Sequence, residues 1–89
     1  MKAIVTVVGK DQVGIIAAVC IKLAEFNVNV LDISQTVMQG YFTMMMVVDV
    51  SACSVPLAEL SADMEKMGKE KALSIRVQRE DIFEAMHRI

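Results

Sequence analysis

The stretch Val7–Val19, VVGKDQVGIIAAV, passes from a β-branched run through a loop with two glycines into an apolar helical pattern. Strand, glycine loop and helix in that order open several βα folds, so the reading of this loop decides which one follows. Gly9 and Gly14 stand at the separation of the two glycines in a phosphate loop, G-x-x-x-x-G-K-[ST]. In this chain Ile15 and Ile16 occupy the places of the lysine that reaches the phosphates and the hydroxyl that binds magnesium. The loop therefore lacks the groups that hold a nucleotide, and it carries no G-x-G-x-x-G either. What remains is a helix start, with Asp11 placed to cap it by accepting from the N–H of Val13 or Gly14. A helix start leaves backbone N–H groups free and favours a carboxylate there. Gly14 admits a ligand or a neighbouring backbone at close range. The pattern alone serves ligand binding and close packing equally well.

Working outward, Lys2–Val8 reads as a first strand, rich in Val, Ile and Thr. The helix after it runs to about Phe26, with Ile16, Val19, Cys20 and Leu23 on its apolar side and Lys22 and Glu25 opposite. Asn27 suits a left-handed stop. Val28–Met38 reads as a second strand, with Leu31, Ile33 and Val37 facing one way and Asp32, Ser34 and Thr36 the other. Gln39-Gly40 is a hairpin turn signal into a third strand, Tyr41–Val50, whose Phe42, Met44, Met46 and Val48 share a face. Pro56 marks a second helix with the stripe Leu57, Leu60, Met64 and Met67, ending at Gly68. Leu73–Gln78 is a fourth strand with Leu73, Ile75 and Val77 inward. The tail REDIFEAMHRI reads as a short amphipathic helix carrying Ile82, Phe83, Met86 and Ile89.

The order β-α-β-β-α-β makes two split βαβ units. This is an α+β, ferredoxin-like sandwich: a four-stranded antiparallel sheet in the order 4-1-3-2, two helices on one face and a short C-terminal helix. The expected division is one domain over residues 1–79 and a helical tail over 80–89. The helix-free face then carries Ile4, Val8, Met45 and Val47 among Thr6, Thr36, Thr43 and Arg76. That mixture is too apolar to stay wholly wet, so the tail helix or a second subunit is expected to cover part of it, and a homodimer is expected.

Composition narrows the function. The chain has 89 residues, 55% of them hydrophobic, with eight methionines and 4% aromatics, so its core is aliphatic and adaptable. A net charge of −2 does not draw it to nucleic acid. No apolar run approaches the ~18–20 residues of a membrane span, and the short run after Lys2 reads as a strand rather than a leader, which makes the cytoplasm the expected location. Cys20 and Cys53 form no CxxC pair; Cys20 reads as a small core hydrophobe and Cys53 lies near a loop. Other ferredoxin-like functions need residues this chain lacks. A metallochaperone carries paired cysteines in the first loop, and an acylphosphatase-like enzyme an arginine there, where Lys10 is the only cation. An RNA-recognition module needs aromatics on the first strand as well as the third. Met44-Met45-Met46 reads as alternating strand positions rather than a soft-metal site. His87 reads as a surface or interface side chain. No metal, cofactor or catalytic set is expected, and an enzyme is the weakest reading.

Through VVGKDQVGIIAAV and the following NVNVLDISQT, the chain resembles an ACT domain over essentially its whole length. The D-x-x-G-I of that family stands at Asp11, Gly14 and Ile15, and its asparagine opening the second strand is met by Asn29 before Val30. The form G-x-D-x-x-G-I-[IV]-A resembles the ACT segments of glycine-cleavage repressors and formyltetrahydrofolate deformylases. With its tail the chain most resembles stand-alone single-ACT proteins of bacteria and archaea. The resemblance implies a regulatory module that binds an amino acid or similar small molecule and pairs side by side through its first strand and helix. It implies ligand contacts from Asp11, Gln12, Val13, Gly14 and Ile15, with Asn29 and Leu31 contributed across the dimer. Backbone N–H groups near Gly14 would take the ligand carboxylate, and Asp11 or Asn29 its ammonium. Serine-binding members have histidine at the position of Gly9 and asparagine at that of Asp11. An anionic Asp11 favours a ligand with a free ammonium and disfavours a dicarboxylate. The alternative function is a protein-interaction adaptor that docks a partner on the sheet face or the tail helix.

Overall fold

A computed structural model describes residues 1–87; Ile89, counted above in the tail helix, lies outside them, as does the side chain of His87. The elements follow as β1 (Lys2–Lys10), α1 (Ile15–Glu25), β2 (Asn29–Met38), β3 (Tyr41–Asp49), α2 (Leu57–Glu70), β4 (Leu73–Arg79) and α3 (Glu80–His87). The sheet order is β2-β3-β1-β4, the expected 4-1-3-2 read from the other edge, with every pairing antiparallel. The register aligns the apolar positions into rows. Val7 lies between Met44 and Ile75, and Val5 between Met46 and Val77. These rows, with Ile15, Val19 and Leu23 of α1 and Leu60 and Met64 of α2, form the core between sheet and helices. No polar or charged residue is buried among the described residues, so the core holds by apolar packing alone.

The hairpin is as the sequence reads. Gln39 at φ 56° and Gly40 at φ 82° are both left-handed, as a two-residue turn between twisted strands requires, and Met38 pairs with Tyr41. Asn27 also adopts the left-handed conformation expected after α1.

Several expectations change. The first strand runs on through Gly9 and Lys10, because both pair with β3 at Phe42 and Tyr41. Asp11 does not cap α1. The cap position is Gly14, left-handed at φ 87°, and no side chain bonds there. The buried positions of α1 are Ile15, Val19 and Leu23, with Ile16 and Cys20 beside them rather than central. The alternation on β2 breaks at a bulge between Val30 and Asp32, which makes Leu31 the unpaired extra residue. Gly68 does not end α2, which continues to Glu70; Ala72, at φ 57°, takes the left-handed turn instead. Gly68 is buried because α2 crosses the start of β4 there. Finally, β1 is flanked by β3 and β4, so side-by-side pairing through the first strand is excluded by its own ladders. Among the described residues, the open edges belong to β2 and β4.

The short helix α3 folds back against β1 and β4. Gln78 Nε2 donates to Met86 Sδ at 3.4 Å, next to Ile4, which pairs with Gln78 and is buried on the helix-free face. The tail thus covers one end of that face and leaves Val8 and Met45 exposed. Its start is held by Asp81, which accepts from the Arg79 guanidinium and from the Ile82 N–H. The hydrogen bond from Arg79 holds the Asp81 carboxyl below its ordinary value of 3.8, and the same contact raises Arg79. A carboxylate with a depressed folded pKa contributes above its unfolded pKa and loses that contribution as pH falls through the folded value. Acidification from roughly pH 4 downward is therefore expected to loosen α3 before the sheet. Amide exchange protection of residues 82–86 measured across that range checks this, and Asp81→Ala should remove the acid step.

Candidate functional site

The loop between β1 and α1 is fastened at two points. The Asp11 N–H donates to the Gly40 carbonyl at 2.8 Å, which ties it to the β2–β3 turn. Gln12 Nε2 donates to the Lys71 carbonyl at 3.0 Å, which ties it to the α2–β4 turn. Gly14 then turns the chain into α1, and its carbonyl accepts from the Ala18 N–H at 2.9 Å. The N–H groups of Ile15, Ile16 and Ala17 precede that first helical bond, and the first turn contains no acidic residue to answer them. A helix start that its own side chains leave uncapped favours an external anion.

Beside this loop lies a cavity of about 280 Å³, lined by Asp11, Gln12, Gly14, Ile15, Ile16, Ala17, Gln35, Val37 and Phe42. One wall is the loop and the first turn of α1; the other is the helix side of the hairpin, where Val37 pairs with Phe42. A second hollow of about 310 Å³ lies between Leu57, Val77 and Ile82, but the arginine at its rim, Arg79, is already engaged by Asp81. The loop cavity thus offers one carboxylate, two carboxamides, free backbone donors and apolar walls, which equip it for binding.

The expected site residues divide. Asp11, Gln12, Gly14 and Ile15 line the cavity. Val13 is fully exposed on the outer side of the loop and does not line it. Asn29 pairs with Asp49 and Leu31 sits at the bulge, both at the end of β2 remote from Gln35 and Val37, so within one chain they do not meet the loop. Ile16, Ala17, Gln35, Val37 and Phe42 were not anticipated. The two-residue turn at Gln39-Gly40 sets the hairpin register and so puts Gln35 and Val37 on the helix side; that signal was in the sequence. That this face lies beside the first loop depends on β1 sitting between β3 and β4.

Gly14 offers a direct check on the loop. A Cβ there meets nothing within 4 Å, so substitution costs only backbone strain. Gly14→Ala is expected to lose about 1 kcal/mol, a fall of roughly 4–8 °C in thermal midpoint. Gly14→Asn should lose less, since asparagine tolerates the left-handed region. Thermal unfolding of the two variants reads the difference.

Comparison with known proteins adds to this geometry. A family model described as ACT domain matches residues 2–78. A UPF0237 protein of Listeria monocytogenes is 49% identical over 89 residues, covering 100% of both chains. The solved structure of an ACT domain protein from Streptococcus pneumoniae superposes with a TM-score of 0.82 at 48% identity, covering 98% of each chain. The structure of a putative glycine cleavage system transcriptional repressor superposes with a TM-score of 0.74 at 20% identity, over 88% of this chain and 44% of that one, a likeness of fold.

Proposed function

The chain belongs to the ACT-domain family, and from that premise we propose that it is a non-catalytic regulatory module of the cytoplasm, a homodimer that binds an amino acid in the loop cavity. The observation that carries this reading is the cavity itself. Asp11 supplies an anion for an ammonium, and the uncapped start of α1 supplies donors for a carboxylate. The two stand on one short loop and line one cavity.

The open edge of β2 supports the dimer. This strand spans Asn29–Met38 without proline, lysine or arginine, and Leu31, Ile33 and Val37 along it are 47%, 40% and 54% exposed. The bulge and Asp32 interrupt its first half, but Ile33–Met38 beyond them carries neither charge nor proline, and such an edge is a template for another strand. Two-fold pairing of β2 with its copy is antiparallel and continues the sheet. Because β2 runs from Asn29 at the far end to Val37 at the cavity, that pairing brings Asn29 and Leu31 of the partner subunit toward the cavity mouth. Any output passes through oligomer state or another protein, since a ligand shifts only an equilibrium whose states it binds unequally.

The test is a thermal-shift screen of amino acids, with sedimentation to follow the dimer. Ligand at 100 times its dissociation constant should add about 2.7 kcal/mol, roughly ten degrees or more in midpoint. No shift for any amino acid from an intact dimer sinks the proposal. A second reading, the adaptor, draws on the exposed Val8, Tyr41 and Met45 of the helix-free face. Under that reading Met45→Lys abolishes recovery of a partner protein and leaves amino-acid binding intact.

A further inference from the structure

We propose that the loop cavity selects an amino acid with an aliphatic side chain of the valine, leucine or methionine class, with Val37 and Phe42 as the specificity-determining wall. The inference rests on the amino-acid reading above and goes one step past it, to the chemistry of the side chain that is bound.

The lining residues divide the cavity into a polar end and an apolar one. Asp11 sets the polar end and holds the ammonium, beside the first turn of α1. The side chain then points across to the hairpin, where Phe42 is 4% exposed and Val37 54% exposed. Phe42 is packed from behind by the core, whereas Val37 lines the cavity half-exposed. A methyl or methylene laid there is removed from water together with Val37, which is favourable at both surfaces.

The polar inventory argues against other classes. Among the described residues no lysine, arginine or histidine lines the cavity, so a side-chain carboxylate or phosphate meets Asp11 with no cation there to offset it. No serine, threonine or tyrosine lines it. Gln12 Nε2 donates to the Lys71 carbonyl, so the carboxamides answer a polar side chain only through Gln12 Oε1 and Gln35, both at the loop and strand rather than on the Val37–Phe42 wall. A polar side chain laid on Val37 and Phe42 would therefore lose water against an apolar wall that offers it no partner. The volume, about 280 Å³, sits at the lower end of small-molecule sites and matches one amino acid rather than a nucleotide-sized ligand.

The experiment is calorimetric titration of the full chain with L-leucine, L-valine, glycine, L-serine and L-glutamate, repeated on Val37→Asn and Val37→Ala. Val37 is exposed, so both variants keep the core intact. Leucine or valine is expected to bind at least tenfold more tightly than glycine or serine, the scale on which apolar pockets discriminate methylenes. Glutamate should give no heat. The leucine-to-glycine ratio should shrink in Val37→Asn by about the same factor, and by less in Val37→Ala. If serine, glycine or glutamate binds as tightly as leucine, or if the ratio is unmoved in Val37→Asn, the aliphatic selection is wrong while the amino-acid reading stands. Heat from none of the five overturns the selection, and the thermal-shift screen over the remaining amino acids then decides the broader reading separately.

Discussion

Gly68→Val is expected to destabilise the domain by roughly 3 kcal/mol or more, and Gly68→Ala by about 1–2 kcal/mol. Gly68 lies inside α2, where alanine ordinarily gains about 1 kcal/mol over glycine. Here the gain is outweighed. A Cβ at this position would stand 2.7 Å from the Leu73 carbonyl oxygen and 3.1 Å from Ile75 Cγ1. The first contact is with backbone, which cannot rotate aside, so α2 must lift off β4. Overpacking of this kind costs typically 1–3 kcal/mol, and the β-branched methyls of valine add to it. A domain of this size has only about 5–10 kcal/mol to lose. Gly9 is the contrast. Its Cβ would meet Leu73 Cδ2 at 2.5 Å, the end of a side chain that can move, and the nearest backbone atom, the Ala72 carbonyl oxygen, only at 3.2 Å, so Gly9→Ala should cost less than Gly68→Ala. Chemical denaturation of the variants gives the order, and a Gly68→Ala protein as stable as the parent would refute the close approach of α2 to β4.

Ile33→Lys is expected to turn the dimer proposed for β2 into a monomer and to weaken amino-acid binding with it. Ile33 pairs with Met46 near the middle of β2 and is 40% exposed on the helix side, so lysine is tolerated in the isolated fold. In a two-fold antiparallel pairing the middle of the strand faces its own copy. Two ammonium groups are then brought together, and like charges across an interface cost several kcal/mol, a loss of roughly a hundredfold or more in dimer affinity. Binding should fall in parallel, because Asn29 and Leu31 would no longer arrive from the partner subunit. Sedimentation and calorimetry on one preparation separate the outcomes. A dimer that survives Ile33→Lys but not Met45→Lys moves the interface to the helix-free face. A monomer that binds amino acid at full affinity shows that one chain suffices for the site.

Much of this architecture is legible in the chain because its signals are local. The inward faces of β3 and β4 can be anticipated since strand alternation has period two, and the Gln39-Gly40 turn leaves one register for the β2–β3 hairpin. The absence of a phosphate loop follows from Ile15 and Ile16 alone. The stripe of α2 is likewise visible as Leu60 and Met64, one helical turn apart. The resemblance carried by Asp11, Gly14, Ile15 and Asn29 led to the right family, because the spacing of a loop that must turn into a helix is itself a local constraint.

What the sequence left open involves contacts between segments far apart in it. Asp11 has the chemistry of a cap, yet its N–H is held by Gly40 and the turn into α1 falls to Gly14, three residues later. Gly68 looks like a helix end, and only the crossing of α2 over Leu73 shows that its missing side chain makes room for a strand. Leu31 reads as a regular strand position until the bulge removes it from the ladder. The cavity is the fullest case. Loop residues 11–17 and hairpin residues 35–42 share no periodic pattern; they face each other because β1 takes the place between β3 and β4 and carries its following loop to the hairpin's turn. Local propensity and periodicity determined the elements and the faces they bury. Which loop meets which strand, which glycine is a turn and which a packing site, and which edge remains open were decided by the tertiary structure, because each depends on excluded volume and hydrogen bonding between segments that meet only once the sheet is assembled.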